Sequence, residues 1–504
     1  MSAVPSLRIR KCNDAPVRGA GDYILYWMIA NRRLRWNFAL DRALEHCRQL
    51  GKPLVVLEAL RVRYRWASER THRFVMQGME DNRRECERHG ICYLPYLEEN
   101  AGDGKGLVPS LAEKACVVVT DNFPCFFLPR MVASAAKQVN VLLEEVDSNG
   151  LLPLRAAAQV FQRAFDFRRF LQKELPKHVG SFPMAEPLRN AKWARGPRID
   201  PAIPKRWPMA TAEILRGDTD TLAKLPIDHV VKAAPTRGGS QAARKRLNEF
   251  IDDRLARYGA HRSEPQAEAT SGFSPYLHFG HLSVHEAFVK LATKERWKPE
   301  KFSLRTNGSK EGWWNMSPAA ESLLDELITW RELGYNFTFH RDDYERFDSL
   351  PEWAQKTLFK HAKDEREHVY SLEEFESGKT HDPLWNAAQM QLVQEGRIHN
   401  YLRMLWGKKI LEWTRKPDEA AEIMMHLNNK YALDGRDPNS YSGIFWVLGR
   451  YDRPWTPERP VFGTLRYMSS ENTARKFSVK RYIEKYSPAE VAQGKLALSG
   501  LRRT

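Results

Sequence analysis

The chain of 504 residues is poor in cysteine: Cys12, Cys47, Cys86, Cys92, Cys116 and Cys125 are all it has. None forms a CxxC pair, so no disulfide framework is expected in a chain of this length. The long remainder after Cys125 cannot hold a cysteine-ligated iron–sulfur cluster. The 15 histidines show no HExxH or other zinc spacing, so no metal site is expected. No apolar run approaches the roughly 20 residues that span a bilayer. The start, MSAVPSLRIRKCNDAPVRG, is basic but is followed by no apolar stretch of the secretory kind, so an intracellular protein without a membrane partner is expected. A GxGxxG after the first strand is also missing. Gly19 and Gly21 precede that strand, on the wrong side for a dinucleotide fingerprint.

What is present is apolar residue enough for a core (42%) and an excess of positive charge, 79 Lys and Arg against 63 Asp and Glu. The length allows two or more domains. The formal charge of +16 favours polyanionic partners through long-range attraction and counterion release. Tryptophan is abundant: ten of the 15 lie between Trp297 and Trp455. In the run 381–414, Trp406 and Trp413 fall two turns apart if the segment is helical, about 10 Å along the axis. Trp385 precedes them. Such indoles are plain core or a relay for single electrons.

Residues 22–147 alternate strand and helix. Short runs rich in β-branched and aromatic residues stand at 22–30, 53–60, 91–98, 116–123 and 139–146, with amphipathic stretches at 35–50 and 70–89 between them. This predicts an α/β, Rossmann-like domain with a parallel sheet over 1–150. A connecting segment is expected over 151–235, helical at 155–175 and then Pro- and charge-rich at 178–208, draped over both domains. Residues 236–486 read as all-α, with long amphipathic segments at 240–262, 318–337, 350–370 and 417–433. The stretch 294–316 breaks the helical pattern and is expected to be a surface loop or insertion. A basic tail, 487–504, closes the chain.

Several motifs carry candidate chemistry. Thr270, Ser271 and Ser274 cluster ahead of a helix, where hydroxyls and N–H groups suit phosphate oxygens; a simple N-cap is the plain alternative. Glu326 and Trp330 share a helix face, a carboxylate beside an indole that suits a flat polar ring. Arg403 and Met404 sit among apolar neighbours, and a buried arginine must be paired. Asp434 and Asp437, in LDGRDPNSYSGIFW, mark an irregular turn of the kind where binding residues gather. The segment 449–469 interleaves Arg450, Arg453, Arg459 and Arg466 with Trp455 and Tyr467, a pattern suited to phosphates and stacked bases.

At these residues the chain resembles the class II cyclobutane pyrimidine dimer photolyases of the photolyase–cryptochrome superfamily. The likeness rests on ordered blocks: TSGFSPYLHFG, ELITWRELGYNF, THDPLWNAAQMQLV, GRIHNYLRMLWGKKILEWT, LDGRDPNSYSGIFW and RPVFGTLRYM. They cover most of 235–480. The N-terminal α/β domain fits the family's antenna domain but is less diagnostic.

The resemblance implies an enzyme that splits pyrimidine dimers with light, by electron transfer from reduced FAD (FADH⁻) to a flipped-out lesion. It implies a U-shaped FAD in the all-α domain, its phosphates held by Tyr258 and the Thr270, Ser271, Gly272, Phe273, Ser274 segment. Arg403 and Asp434 are similar to the family's salt bridge beside the isoalloxazine, with Asp437 in the same turn, and Asn428 to the amide near flavin N5. Glu326 is implied to hydrogen-bond the lesion and share a proton with it, which requires a raised pKa in an apolar pocket. Trp330 and Trp446 would wall that pocket, with Tyr401 and Met404 lining it. Trp406, Trp385 and Trp413 match an electron chain from flavin to surface. Arg453 and Trp455 match residues that fill the space left by the flipped dimer, and Arg466 lies in the same DNA-facing segment.

UV-damaged DNA is the implied partner of a monomer; in a prokaryote it would be cytoplasmic and nucleoid-associated. The antenna chromophore is open among deazaflavin, folate, another flavin and none. The main rival is a cryptochrome-like photoreceptor without repair, which would often carry a long C-terminal extension. A (6-4) photolyase uses a histidine at the lesion, where this chain has Met404.

Overall fold

The computed structural model describes residues 4–189 and 196–487. Six residues of the connecting segment and the expected tail beyond Ser487 lie outside it. The N-terminal part is a six-stranded sheet ordered β1-β6-β5-β2-β3-β4: β1 Ile9–Lys11, β2 Tyr23–Met28, β3 Leu54–Leu60, β4 Cys92–Leu97, β5 Ala115–Asp121 and β6 Leu143–Val146. All pairings are parallel except the short β1, which runs antiparallel to β6 at the edge. Strands buried on both faces need continuous apolar text, and YILYWM and ACVVVTD supply it. The helices Phe38–Leu50 and Glu69–Arg88 cover the sheet, one capped by Asn37 and the other by a Ser68–Thr71 capping box.

The carboxyl ends of β2 and β5 meet where the strand order reverses, the usual ligand crevice of such sheets. Here it is filled by the protein itself. Asp121 accepts from the backbone N–H of Ile29, Ala30 and Asn31 at 2.8–2.9 Å, which ties the loop after β2 to the end of β5.

From Ser240 onward the described residues contain no strand, only helices and connecting turns. Arg33 reaches Gly280 O at 3.0 Å, and Arg331 donates to Asn149 O. Arg70 caps helix ends of the other domain, donating to Leu392, Val393 and Tyr431 carbonyls. Glu332 accepts from Leu151 and Leu152 N–H, and burial pushes its carboxyl up to about 7. The connecting segment touches both parts: Met184 bonds to Trp36 and Asp41, while Phe182 packs on His285 and Phe288.

Two expectations are corrected. The 155–175 helix begins only at Ala164, after a single 3-10 turn at Leu154–Ala156. The stretch 294–316 is more than a surface loop. Its base is an aromatic cluster in which Trp297, Trp313 and Trp314 are buried with Phe302 against Phe288. Charged residues dominate its text, and they mask the apolar anchor.

Candidate active site

The helical domain encloses a cavity of about 800 Å³, in the range that cofactor sites occupy. Tyr258, Thr270, Ser271, Gly272, Phe273, Ser274, Glu326, Trp330, Arg403, Met404, Asp434, Asp437 and Trp446 all line it. Residues far apart in sequence are thus brought to one wall.

Two wide turns shape that wall. Phe250–Arg254 and Asp325–Trp330 are π-helical interruptions of longer helices, and both present residues to the cavity. Such turns are rare and concentrate at functional sites. On the first helix Arg246, Arg254, Tyr258 and Arg262 all face inward. Arg246 donates to the carbonyls of Thr270 and Ser271 at 2.9 and 2.6 Å. It lies directly under Gly272, whose φ of +70° and lack of a Cβ permit the approach. Burial and the neighbouring Arg254 lower the Arg246 pKa, with Glu249 opposing them, so arginines crowd this end of the cavity.

Arg403 and Asp434 form an ion pair at 3.2 Å. The Arg403 Nε is buried and has no partner, a donor left over beside the cavity. Asp434 is held through its backbone, whose carbonyl accepts from Ser440 Oγ at 2.8 Å. Asp437 plays a different part. It caps the Pro438–Val447 helix by accepting from Asn439 N, and its other oxygen meets His278 at 3.2 Å. Burial opposes its charge, but His278 and Arg331 nonetheless hold the carboxyl below its ordinary value.

Trp330 and Trp446, which also line the cavity, pair with ring centroids 4.8 Å apart. Between them and Tyr258 lies Glu326. Its expected apolar setting is not what the structure contains: Arg262 Nη1 donates to Glu326 Oε1 at 2.5 Å, and both side chains keep nearly a third of their surface exposed. The carboxylate is therefore matched by a guanidinium. Nothing in the local text of Glu326 signalled this, because Arg262 arrives from a helix that ends some sixty residues earlier.

Other expected residues stand outside the cavity. Tyr401 turns away to meet Phe477 edge to face at 4.7 Å, with the Lys476 ammonium 5.4 Å from its ring. Asn428 is buried behind the Asp434 turn and donates to Asn429. Arg453 and Arg466 sandwich Trp455, at 5.3 and 5.2 Å from its ring, on a segment beyond the lining. Sequence reasoning missed Arg246, Arg254, Arg262, Arg397, Arg481 and Lys485 as lining residues. The first three recur at multiples of four with Tyr258 along 240–262, a signal that was legible.

Behind the Arg403–Met404 wall lie the three tryptophans. Asp382 caps the Pro383–Glu395 helix by accepting from Leu384 and Trp385 N–H, with Pro383 at the first helical position. That fixes Trp385 in the first turn, fully buried. Its indole N–H donates to Trp406 O at 3.0 Å, and its ring meets Trp413 edge-on at 5.8 Å. Trp385 thus lies between the other two. Trp413 in turn touches Tyr370 and the exposed His381.

Comparison with known proteins decides the family. No family model matches the chain. The deoxyribodipyrimidine photo-lyase of Methanothermobacter thermautotrophicus is 34% identical over 483 residues, 95% of this chain and 97% of its own. Those of Arabidopsis thaliana and Potorous tridactylus are 33% and 32% identical over 91% and 95% of this chain, and 88% and 84% of theirs. The chain belongs to the deoxyribodipyrimidine photo-lyase family. A class III photolyase from Agrobacterium tumefaciens shares the fold, with a TM-score of 0.65 at 18% identity, over 93% of this chain and 87% of its own.

As a photo-lyase the protein is an enzyme of light-dependent DNA repair, and the family's cofactor is a flavin. The cavity fits one. Its volume, the arginine-rich end under Gly272, and the unpartnered Arg403 Nε are what an anionic, flat-ringed group requires. Among the described residues no His, Cys, Asp and Glu group could hold a metal ion, and no helix is long and apolar enough to cross a membrane.

Proposed function

We propose that the protein is a class II photolyase that splits cyclobutane pyrimidine dimers in UV-damaged DNA, using FAD in its reduced form. The observation that carries this reading is the shared cavity, lined both by the Arg403–Asp434 pair and by the Trp330–Trp446 pair with Glu326. The chemistry a reduced flavin would supply there, when bound, is light-driven one-electron donation. The chain's own residues do the rest. Arg246, Arg254, Tyr258 and the Thr270–Ser274 segment hold the pyrophosphate, and Arg403 positions the flavin ring through its free Nε. Trp330 and Trp446 stack on the flipped bases and exclude water, with Met404 closing the wall.

Glu326 hydrogen-bonds the bases while Arg262, at 2.5 Å, balances its charge and stabilises negative charge arriving on the lesion. Arg453, Trp455 and Arg466 support the unpaired strand opposite. Trp406, Trp385 and Trp413 form the route by which oxidised flavin is recharged, and Asn428 acts from behind the Asp434 turn. The enzyme acts inside the cell as a monomer, and the α/β domain is the place for an antenna chromophore, open among deazaflavin, folate, another flavin and none.

The test is to reduce the flavin-loaded protein and illuminate it with a dimer-containing oligonucleotide. Light-dependent loss of dimers is expected. Intact dimers in the presence of bound, reduced flavin would overturn the reading.

A further inference from the structure

The stretch 294–316 supplies the observation. Its aromatic base is buried, but its tip is not: Leu304 is 99% exposed, and Arg305 and Lys310 are exposed beside it. The tip is nevertheless pinned. Gly308 N–H donates to Gln172 Oε1 at 2.8 Å, and its carbonyl accepts from Arg168 at 3.4 Å. Ser309 O accepts from Gln172 Nε2 at 3.0 Å. Gly308 has φ +82°, and a Cβ there would meet Arg169 Cγ at 2.7 Å and the Phe165 ring at 2.9 Å. Only glycine lets the loop lie this close to the Ala164–Glu174 helix.

That helix leads back to the cavity. Arg163, just before its first residue, forms a parallel bridge with Tyr451, which lines the cavity. From Arg163 to Arg169 is about 9 Å along the axis. Arg163 is paired with Asp166. Among the described residues Arg169, Arg305 and Lys310 make no ion pair; Arg169 only overlies the half-exposed Phe165 ring at 6.0 Å. Glu300 and Glu311 share the loop and are exposed. The result is a set of unpaired cations, two of them on a loop whose backbone is pinned at Gly308 and Ser309, that begins one to two helical turns from the cavity rim.

We infer that the pinned 298–311 loop, with Arg169, is a second contact for the phosphate backbone of duplex DNA flanking the site where the lesion enters. This rests on the photolyase reading for its choice of partner. Duplex DNA presents a charge about every 1.7 Å of axis, so cations held in place beside the cavity gain counterion release without ordering a mobile loop. The contact reads no sequence and no lesion; it adds affinity for any duplex.

The experiment uses the full chain and an undamaged duplex long enough to extend beyond the lesion site, with binding followed by fluorescence anisotropy across a salt series. Arg305→Glu and the triple variant Arg169→Ala/Arg305→Ala/Lys310→Ala are compared with the wild type. The slope of log K against log salt should fall by about 0.9 for each contact removed. Affinity at low salt should drop, while turnover of a dimer in a short oligonucleotide at saturating concentration should be unchanged. Wild-type slope and affinity in both variants would overturn the proposal. Arg305→Glu changes an exposed side chain with no partner, so a folding defect in the triple variant does not shield the idea. Since undamaged duplex is the probe, the result stands apart from whether the wild type splits dimers.

Discussion

Two groups of three tryptophans can be set side by side. Trp297, Trp313 and Trp314 form one, Trp385, Trp406 and Trp413 the other. Both are buried, and their ring spacings are close: 4.8 and 5.7 Å in the first, 5.8 Å between Trp385 and Trp413 in the second. The first is closed in by Phe288 and Phe302, and neither trio itself lines the cavity. The second is carried partly on the helix that gives Arg403 and Met404 to the cavity wall, and it ends against exposed His381. Close indoles are therefore no evidence of a relay by themselves. What separates an electron route from an anchor is a flavin site at one end and solvent at the other.

The comparison breaks most visibly if Trp385→Phe leaves flavin photoreduction untouched. An order-of-magnitude slowing is expected, with repair by pre-reduced enzyme retained; Trp406→Phe should behave alike. If both activities vanish together, the trio is serving the fold and not a relay. Trp314→Ala should do the reverse. Removing a buried indole costs about 3–5 kcal/mol, so the melting temperature should fall sharply while photoreduction in the folded fraction stays normal. Slowed photoreduction in that variant would erase the distinction.

A third measurement concerns the wall between the groups. Glu326→Ala should lower the repair yield per photon while flavin absorbance stays at the wild-type level, because Arg262 is left without its partner in the proposed lesion pocket. An unchanged yield would remove Glu326 from the mechanism.

The smallest effect tests whether the helix proposed to carry the relay also carries ordinary structural cost. Lys408, on the Asn400–Glu412 helix, is buried with its ammonium on Val447 O, and burial pushes its pKa from 10.5 to about 7. Between those values the unfolded chain binds a proton that the folded chain does not, so stability rises with pH across the window. Lys408→Met should flatten the melting temperature against pH between 7 and 10. An identical slope in the variant would contradict this.

The sheet was legible because five of its strands fall in short apolar runs rich in β-branched, aromatic or other large apolar residues. The three-residue β1 was not, for Ile9–Lys11 has too little text to show a pattern and exists only because β6 offers an edge. The cavity residues of the 400–412 helix were partly legible. Asn400, Arg403 and Met404 follow helical spacing onto the cavity, while Tyr401, one position round from Asn400, is claimed by Phe477. That competition comes from the Ser470–Tyr486 region and cannot be read locally. The same holds for Glu326, whose surroundings depend on a distant arginine, and for 294–316, where charge hid three anchoring indoles.

The wide turn at Asp325–Trp330 has a further consequence. A π turn amounts to one extra residue let into a helix, and one residue is about 100° of rotation. Deleting a single residue there, with no change of side-chain type, would let the turn relax to ordinary pitch and swing the residues on one side of it round the axis by that angle relative to the other. Glu326 and Trp330 would no longer address the same cavity. The site's catalytic alignment is thus stored as a count of residues as well as a choice of them, and it is exposed to loss by length alone.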